Sequence, residues 1–269
     1  MNILILGDIV GPSGREAIMK KLPNLIKRKD LDFVIVNGEN AADPGVGITK
    51  KNTEEFFKAG TDVITTGNHV WDQSETMEFI TSEKRLLRPE NLVQGSPGAG
   101  NGIFISKNNK KVAVINLMGN IFMKKCEDVF EVAKNFIQTV KLKRDADFII
   151  VDLHGEITSE KMAMGYLFDG KATMVVGTHT HVPTSDHRIM EKGTAYQTDI
   201  GMCGDYNSVI GMNRDNSLKK FLKDFSSKKH YPALGEATIS GLMVQADDET
   251  GLAKKIEPII IGGVLENRI

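Results

Sequence analysis

Short apolar runs enriched in β-branched residues recur along the chain: Ile3 to Leu6, Phe33 to Val36, Val63-Ile64, Val112 to Ile115, Phe148 to Val151 and Met174 to Val176. Between them, Arg15 to Lys29, Thr53 to Ala59, Gln73 to Ile80, Val129 to Val140 and Glu160 to Phe168 carry helical spacing, so the pattern predicts βα units and a mostly parallel central sheet. Pro23 is expected to kink the first helix, and Asp72 and Thr158 to cap helix N-termini. After about residue 186 the pattern changes to short alternating runs, Arg188 to Met190, Thr194 to Gln197, Gly241 to Gln245 and Lys255 to Ile261, which predict antiparallel strands closing the fold. Gly201 to His230 shows no period and reads as a long loop with a short helix near Leu218 to Phe225. No repeat, low-complexity tract or linker composition divides the chain, so residues 1–269 are expected to form one domain.

Composition narrows the partners. The formal net charge is −1 and no block of basic residues is dense enough to track phosphates, which argues against long nucleic acid as a partner and for a small substrate. Lys124-Lys125 and Lys228-Lys229 read as solvated surface. No apolar stretch approaches the roughly 20 residues that span a bilayer, and the first apolar run meets Gly7-Asp8 too early for a signal peptide; no membrane association and a cytoplasmic location are expected. The two cysteines, Cys126 and Cys203, are far apart and lack CxxC spacing, which indicates small buried or half-buried side chains, neither a disulfide framework nor a thiolate site.

The chemistry collects where apolar runs end. The first run leads to Asp8, the second to Asn37-Gly38-Glu39-Asn40, the third to Gly67-Asn68-His69, the fifth to His154-Gly155-Glu156 and the sixth to Gly177-Thr178-His179-Thr180-His181. In parallel sheets the carboxyl ends of strands share one rim, and ligands bind there. Histidine is scarce, six in 269 residues, yet His69, His154, His179 and His181 all fall at these ends. Each polar residue taken singly has an ordinary explanation as a turn former, a cap or a hydrogen-bonded loop residue. Together the oxygen donors Asp8, Glu39, Asn40 and Asn68 and the imidazoles His154, His179 and His181 form a mixed N/O set without sulfur, suited to Mn, Fe, Zn or Co. Seven donors exceed one tetrahedral site, and two ions sharing a carboxylate is the economical reading. His179 and His181 would point to opposite faces of an extended segment, so the chain must turn beyond the strand for both to face one cavity. Gly7, Gly11 and Gly14 form a glycine-rich turn whose GxxxGxxG spacing lacks the dinucleotide-binding pattern. Trp71 reads as packing beside the site in preference to a base-stacking platform.

In chain order these motifs, "GDIVG" (7–11), "NGEN" (37–40), "GNHVWD" (67–72), "DLHGE" (152–156) and "GTHTHVPT" (177–184), resemble those of calcineurin-like metallophosphoesterases. The usual DxH at the first motif and Asp at the second are absent. Glu39 in place of that Asp, together with "TGNHVWD" and "QTDIGMCG" (197–204), is similar to the YmdB-like branch. The resemblance implies an α/β fold, the four-layer α/β/β/α sandwich of the metallophosphoesterase type. It implies two divalent or mixed-valence transition metals per chain (Fe, Mn or Zn), one held by Asp8, Glu39, Asn40 and His181 and the other by Glu39, Asn68, His154 and His179. It further implies a homodimer or homotetramer and a small phosphodiester substrate such as a 2′,3′- or 3′,5′-cyclic nucleotide.

On this reading the metals supply an activated hydroxide, and the resemblance makes His69 the proton donor to the leaving alkoxide. Asp72 either orients His69 or caps the following helix, the cap being the expected role; Glu156 is either a partner of His154 or a solvent-facing acid. A late HxH motif does not fit amidohydrolases, which place theirs at the first strand. The alternative of another class is a regulatory protein that binds metal and nucleotide with little turnover.

Overall fold

The computed structural model describes residues 1–268. Two six-stranded sheets form its centre. The first has the order β12-β11-β1-β2-β3, with β10 also pairing with β1. Its strands are β1 (Asn2–Val10), β2 (Phe33–Asn40), β3 (Val63–Thr65), β10 (Met202–Cys203), β11 (Ile239–Ala246) and β12 (Ala253–Ile261). The second, ordered β4-β5-β6-β7-β9-β8, comprises β4 (Asn101–Ile105), β5 (Lys111–Met118), β6 (Phe148–His154), β7 (Met174–Thr178), β8 (Arg188–Ile189) and β9 (Ala195–Gln197). The helices are α1 (Gly11–Arg28), α2 (Lys50–Lys58), α3 (Thr76–Phe79), α4 (Val129–Thr139), α5 (Thr158–Phe168) and α6 (Arg214–Phe221).

The two-residue alternation of strand side chains builds the layers. In β1 and β2, Leu4, Leu6, Val34 and Val36 pack with Ile18, Leu22 and Leu25 of α1 and Phe56 of α2. Their neighbours Ile3, Ile5, Phe33 and Ile35 face the other way, into a core shared with Val112, Val114, Phe148 and Ile150 of the second sheet. That sheet repeats the division, sending Ala113, Ile115, Ile149 and Val151 toward Phe136 of α4 and Met164 and Phe168 of α5. Three apolar layers therefore separate four structural layers, α/β/β/α, and the central strands are apolar at successive positions because both of their faces are covered.

Several details differ from the sequence reading. The helix at 73–80 is reduced to α3, and Glu75, the residue preceding it, makes no side-chain cap bond; Asp72 does not cap it, its carboxylate being engaged by His69. Thr158 is the first residue of α5, which also starts without a side-chain cap. The glycine-rich turn is no loop: Gly7 lies in β1, while Gly11 and Gly14 open α1, which runs unbroken across Pro23. A Cβ at Gly7 or Gly14 would collide with the carbonyl of Gly201 or Cys203, so these glycines permit β1 and α1 to lie against the 201–203 segment. β9 runs parallel to β7, not antiparallel, and only β8 beside it is antiparallel; β11 and β12 pair antiparallel as expected. β4 and β10 are strands beyond those the pattern predicts, and α6 begins earlier than expected, where the Asn213 side chain accepts from the Asn216 amide. Cys126 is half-buried and Cys203 buried. Among the described residues no helix is long and apolar enough to cross a membrane.

The inter-sheet layer fixes one sheet against the other. Truncating Ile150→Ala within it is expected to lower unfolding free energy by about 2–5 kcal/mol, measured by denaturant titration.

Candidate metal centre

Both sheets end at the same rim. Asp8 sits inside β1 between two irregularities of pairing: Leu6 pairs with Val36 and Asp8 with Asn37, then Val10 with Asn40. Such bulges re-aim a side chain out of the regular pleat. Glu39 and Asn40 end β2, Asn68 and His69 follow β3, His154 ends β6, and His179 and His181 follow β7. All of these except Asn68, His69 and His179 are fully buried, and those three are partly so.

The turn required of the HTH segment is made by backbone of unusual hand. His179 has φ 102° and His181 φ 65°. Residues with a Cβ adopt this region at a cost of about 1–3 kcal/mol each, and such strain persists only where surrounding bonds over-determine it. With the turn in place, His179 Nδ1 lies 3.0 Å from His154 Nε2, and His181 Nε2 lies 3.2 Å from Asn40 Nδ2 and 4.0 Å from Asp8 Oδ1.

Each imidazole is held by its outer nitrogen. His154 Nδ1 is 3.0 Å from Thr178 Oγ1, which in turn donates to Asp152 at 2.8 Å; His179 Nε2 is 3.1 Å from Glu156 Oε2; and His181 Nδ1 donates to the Ile210 carbonyl at 2.8 Å. An outer nitrogen occupied in this way leaves the inner nitrogen as the one that faces the cavity, the position a metal ligand needs. Glu156 is thus the solvent-facing acid of the two alternatives, and the imidazole it meets is His179, not His154.

The inner atoms crowd together. His154 Nε2 is 3.0 Å from Glu39 Oε1, 3.1 Å from Asn68 Oδ1 and 3.0 Å from His179 Nδ1. One hydrogen on Nε2 cannot satisfy three acceptors, whereas a cation can. Ligand atoms of Glu39, His154 and His179 all lie within 4.8 Å of one another. Beside this group stand Asp8, Asn40 and His181, and here Asp8 Oδ1 and Asn40 Oδ1 are buried without any hydrogen-bond partner. Orphaned buried oxygens are costly in a protein interior, and an ion is one of the few things that explains them. Glu39 Oε1 touches both groups, 3.2 Å from Asn40 Nδ2. Glu39, His154 and His179 therefore fit a cation, and the unpartnered oxygens of Asp8 and Asn40 lie beside them. At Gly67 a Cβ would fall among the Glu39 carboxylate and the His154 ring, so the glycine of the GNH motif makes room for the centre.

Electrostatics carry the same imprint. Burial pushes the Asp8 carboxyl up to about 6, against the pull of His181 and His154. Burial likewise opposes charge on Glu39, but His154 outweighs it and brings Glu39 down to about 2. His154 resists burial and rises to about 9 beside Glu39, Asp8 and Asp152. Burial and then the neighbouring His154 hold His179 down at about 3, keeping it neutral. In the metal-free chain a proton on His154 does the work of a cation.

His69 stands at the more open side. Its amide donates to Glu39 Oε2 at 3.2 Å and its Nδ1 pairs with Asp72 at 2.7 Å. Orientation of His69 is thus the role the structure gives Asp72. Lys124 is solvent-exposed, as expected, and its Nζ also donates to the Asn68 carbonyl at 2.5 Å and lies 3.6 Å from Asp72. No sequence pattern marks it, since a loop lysine looks the same wherever it points. Trp71 is half-buried against the helix–sheet core.

Four layers with donors from both sheets at a shared rim define the class: the fold is that of calcineurin-like metallophosphoesterases. Residues 4–259 match the model of the YmdB-like protein family, and the chain belongs to that family. It is 43% identical over 261 residues, 97% of each chain, to the 2′,3′-cyclic-nucleotide 2′-phosphodiesterase of Bacillus subtilis. Among solved structures it is similar to a phosphatase from Mycoplasma pneumoniae (TM-score 0.88, 38% identity, 97% of this chain and 93% of that one). A hypothetical protein from Thermus thermophilus gives the same TM-score of 0.88 at 35% identity, covering 97% and 99% of the two chains.

An acid whose folded pKa of about 6 exceeds its unfolded value of 3.8 destabilises the fold progressively as pH rises between those values, and by a constant amount above them. Metal-free Asp8→Asn is therefore expected to be more stable than wild type at pH 7.5, by about 1–3 kcal/mol, with the gain vanishing below pH ~4. Chelator-treated proteins compared by thermal unfolding across pH would reveal it; equal stability at pH 7.5 would show that the Asp8 charge is already compensated.

Proposed function

We propose that this chain hydrolyses a small phosphodiester, a 2′,3′- or 3′,5′-cyclic nucleotide, at a centre of two transition metals. That it is a hydrolytic phosphoesterase follows from its family and from the activities named for its relatives. The observation that carries the finer reading is the convergence of Glu39, Asn68 and His179 on His154 Nε2, beside the unpartnered oxygens of Asp8 and Asn40. Asp8, Glu39, Asn40 and His181 would hold one ion, and Glu39, Asn68, His154 and His179 the other. Two such ions, Fe, Mn or Zn, supply an activated hydroxide and neutralise phosphoryl oxygens when bound.

The chain's own residues do the rest. With Nδ1–H of His69 donating to Asp72, Nε2 is the nitrogen left to carry the transferable proton, and it passes this proton to the departing alkoxide. Cleavage of a cyclic diester leaves that alkoxide attached to the product, so proton delivery also prevents reclosure. The His69 amide bond to Glu39 ties the donor's position to the carboxylate between the two sites. Exposed Leu218, Phe221, Leu222 and Phe225 in and after α6 support a homodimer or homotetramer.

Protein purified without chelator is expected to hold about two transition metals per chain by elemental analysis and to hydrolyse bis-p-nitrophenyl phosphate and 2′,3′-cyclic nucleotides. His69→Ala should retain the metals and lose about 10²–10⁴-fold in turnover. Metal and nucleotide binding with negligible turnover in the wild type would replace the enzyme by a regulatory binding protein.

A further inference from the structure

Behind the HTH turn lies an ion pair with no access to solvent. Lys161 of α5 and Asp199 are each about 1% exposed, and Lys161 Nζ donates to Asp199 Oδ2 at 2.8 Å. The same oxygen accepts from the Thr180 amide at 3.1 Å and the Thr180 hydroxyl at 2.8 Å. Oδ1 accepts from the Gly201 amide at 2.9 Å, and the Gly201 carbonyl accepts from the Asp8 amide at 3.3 Å. The Thr184 amide donates to the Asp199 carbonyl and the Asp199 amide to the Thr184 hydroxyl, closing the far end of the segment. Gly177 completes the arrangement, since a Cβ there would meet the Lys161 stem and the Thr198 carbonyl.

Thr180 is the residue between His179 and His181, whose backbones are both left-handed. Bonding its amide to this oxygen fixes the peptide plane between His179 and Thr180, and bonding its hydroxyl fixes the Thr180 side chain on the same carboxylate. We propose that the buried Lys161–Asp199 pair is the positioning element of the metal centre: it grips Thr180, keeps His179 and His181 turned toward one cavity, and so sets the affinity for divalent ions. This rests on the metal-binding reading given above. Neither residue reaches the reacting atoms. Lysine is required beside Asp199 because a buried carboxylate without a counter-charge is costly to the fold.

The test is Mn²⁺ titration calorimetry on chelator-treated protein, beside circular dichroism and thermal unfolding. The double variant Lys161→Met/Asp199→Asn removes the pair without leaving one charge buried. It is expected to stay folded and to bind Mn²⁺ at least tenfold more weakly at one or both sites. Thr180→Val, which removes only the hydroxyl bond, is expected to weaken binding by severalfold and serves if the double variant does not fold. Leu22→Ala, in the distant helix–sheet core, should lower the unfolding temperature with Mn²⁺ affinity unchanged, separating positioning from general destabilisation. Wild-type affinity in both Thr180→Val and the double variant would overturn the proposal. A wild-type protein that binds no Mn²⁺, Fe²⁺ or Zn²⁺ would overturn the metal reading itself, and the positioning role with it.

Discussion

Glu39, Asp8, Asp152 and Asp199 bring four carboxylates into one buried region where the two sheets meet, and everything near them is arranged to make that tolerable. Burying an ionised carboxylate costs several kcal/mol unless it is paired or fully hydrogen-bonded. Asp152 accepts from Thr65, Thr178 and Asn37, and Asp199 has Lys161 and Thr180. Glu39 has His154 Nε2 at 3.0 Å and the His69 amide at 3.2 Å. Asp8 alone is left with an oxygen that nothing in the chain satisfies. The region is short of positive charge at one defined point, and that point faces His181 and Asn40.

The shortage is held open by the fold. The first sheet supplies Asp8, Glu39 and Asn40, and the second supplies His154, His179 and His181, so the centre exists only while the sheets keep their relative position. Two things secure it: the apolar layer between them, and Asp152 of the second sheet, which takes bonds from Asn37 and Thr65 of the first. Stability and site geometry therefore share a cause, which is why a purely apolar substitution between the sheets can disturb metal-competent residues it never touches.

The apolar runs and the polar clusters at their ends were legible because both depend on local order along the chain. Which sheet a run joins was not, since strands covered on both faces look alike in either sheet. Thr194 to Gln197 shows why direction is equally hidden: its short alternation suits an antiparallel edge, but it follows β8 back into the sheet and lies parallel to β7. Asp72 has the residue type and position of a helix cap, and only the geometry of the turn gives it to His69. Lys161 resembles a solvated helix lysine; its burial follows from Gly177 opening a channel for its stem, a relation between residues on different elements.

The HTH spacing carries the deepest contrast between pattern and structure. Two residues one apart on a strand face opposite ways, so convergence of His179 and His181 demands left-handed backbone, and that backbone must be stabilised from outside the turn. Bonds from Thr180 to Asp199, and from the outer imidazole nitrogens to Glu156 and Ile210, provide this without any ion present. A turn so held presents its lone pairs before a cation arrives, and ion binding then requires little rearrangement of the chain. The strain lowers stability in the metal-free protein but is spent once, during folding. Because the same bonds turn both imidazoles inward, a cation entering the cavity would find His181 already beside the Asp8 oxygen that nothing in the chain satisfies.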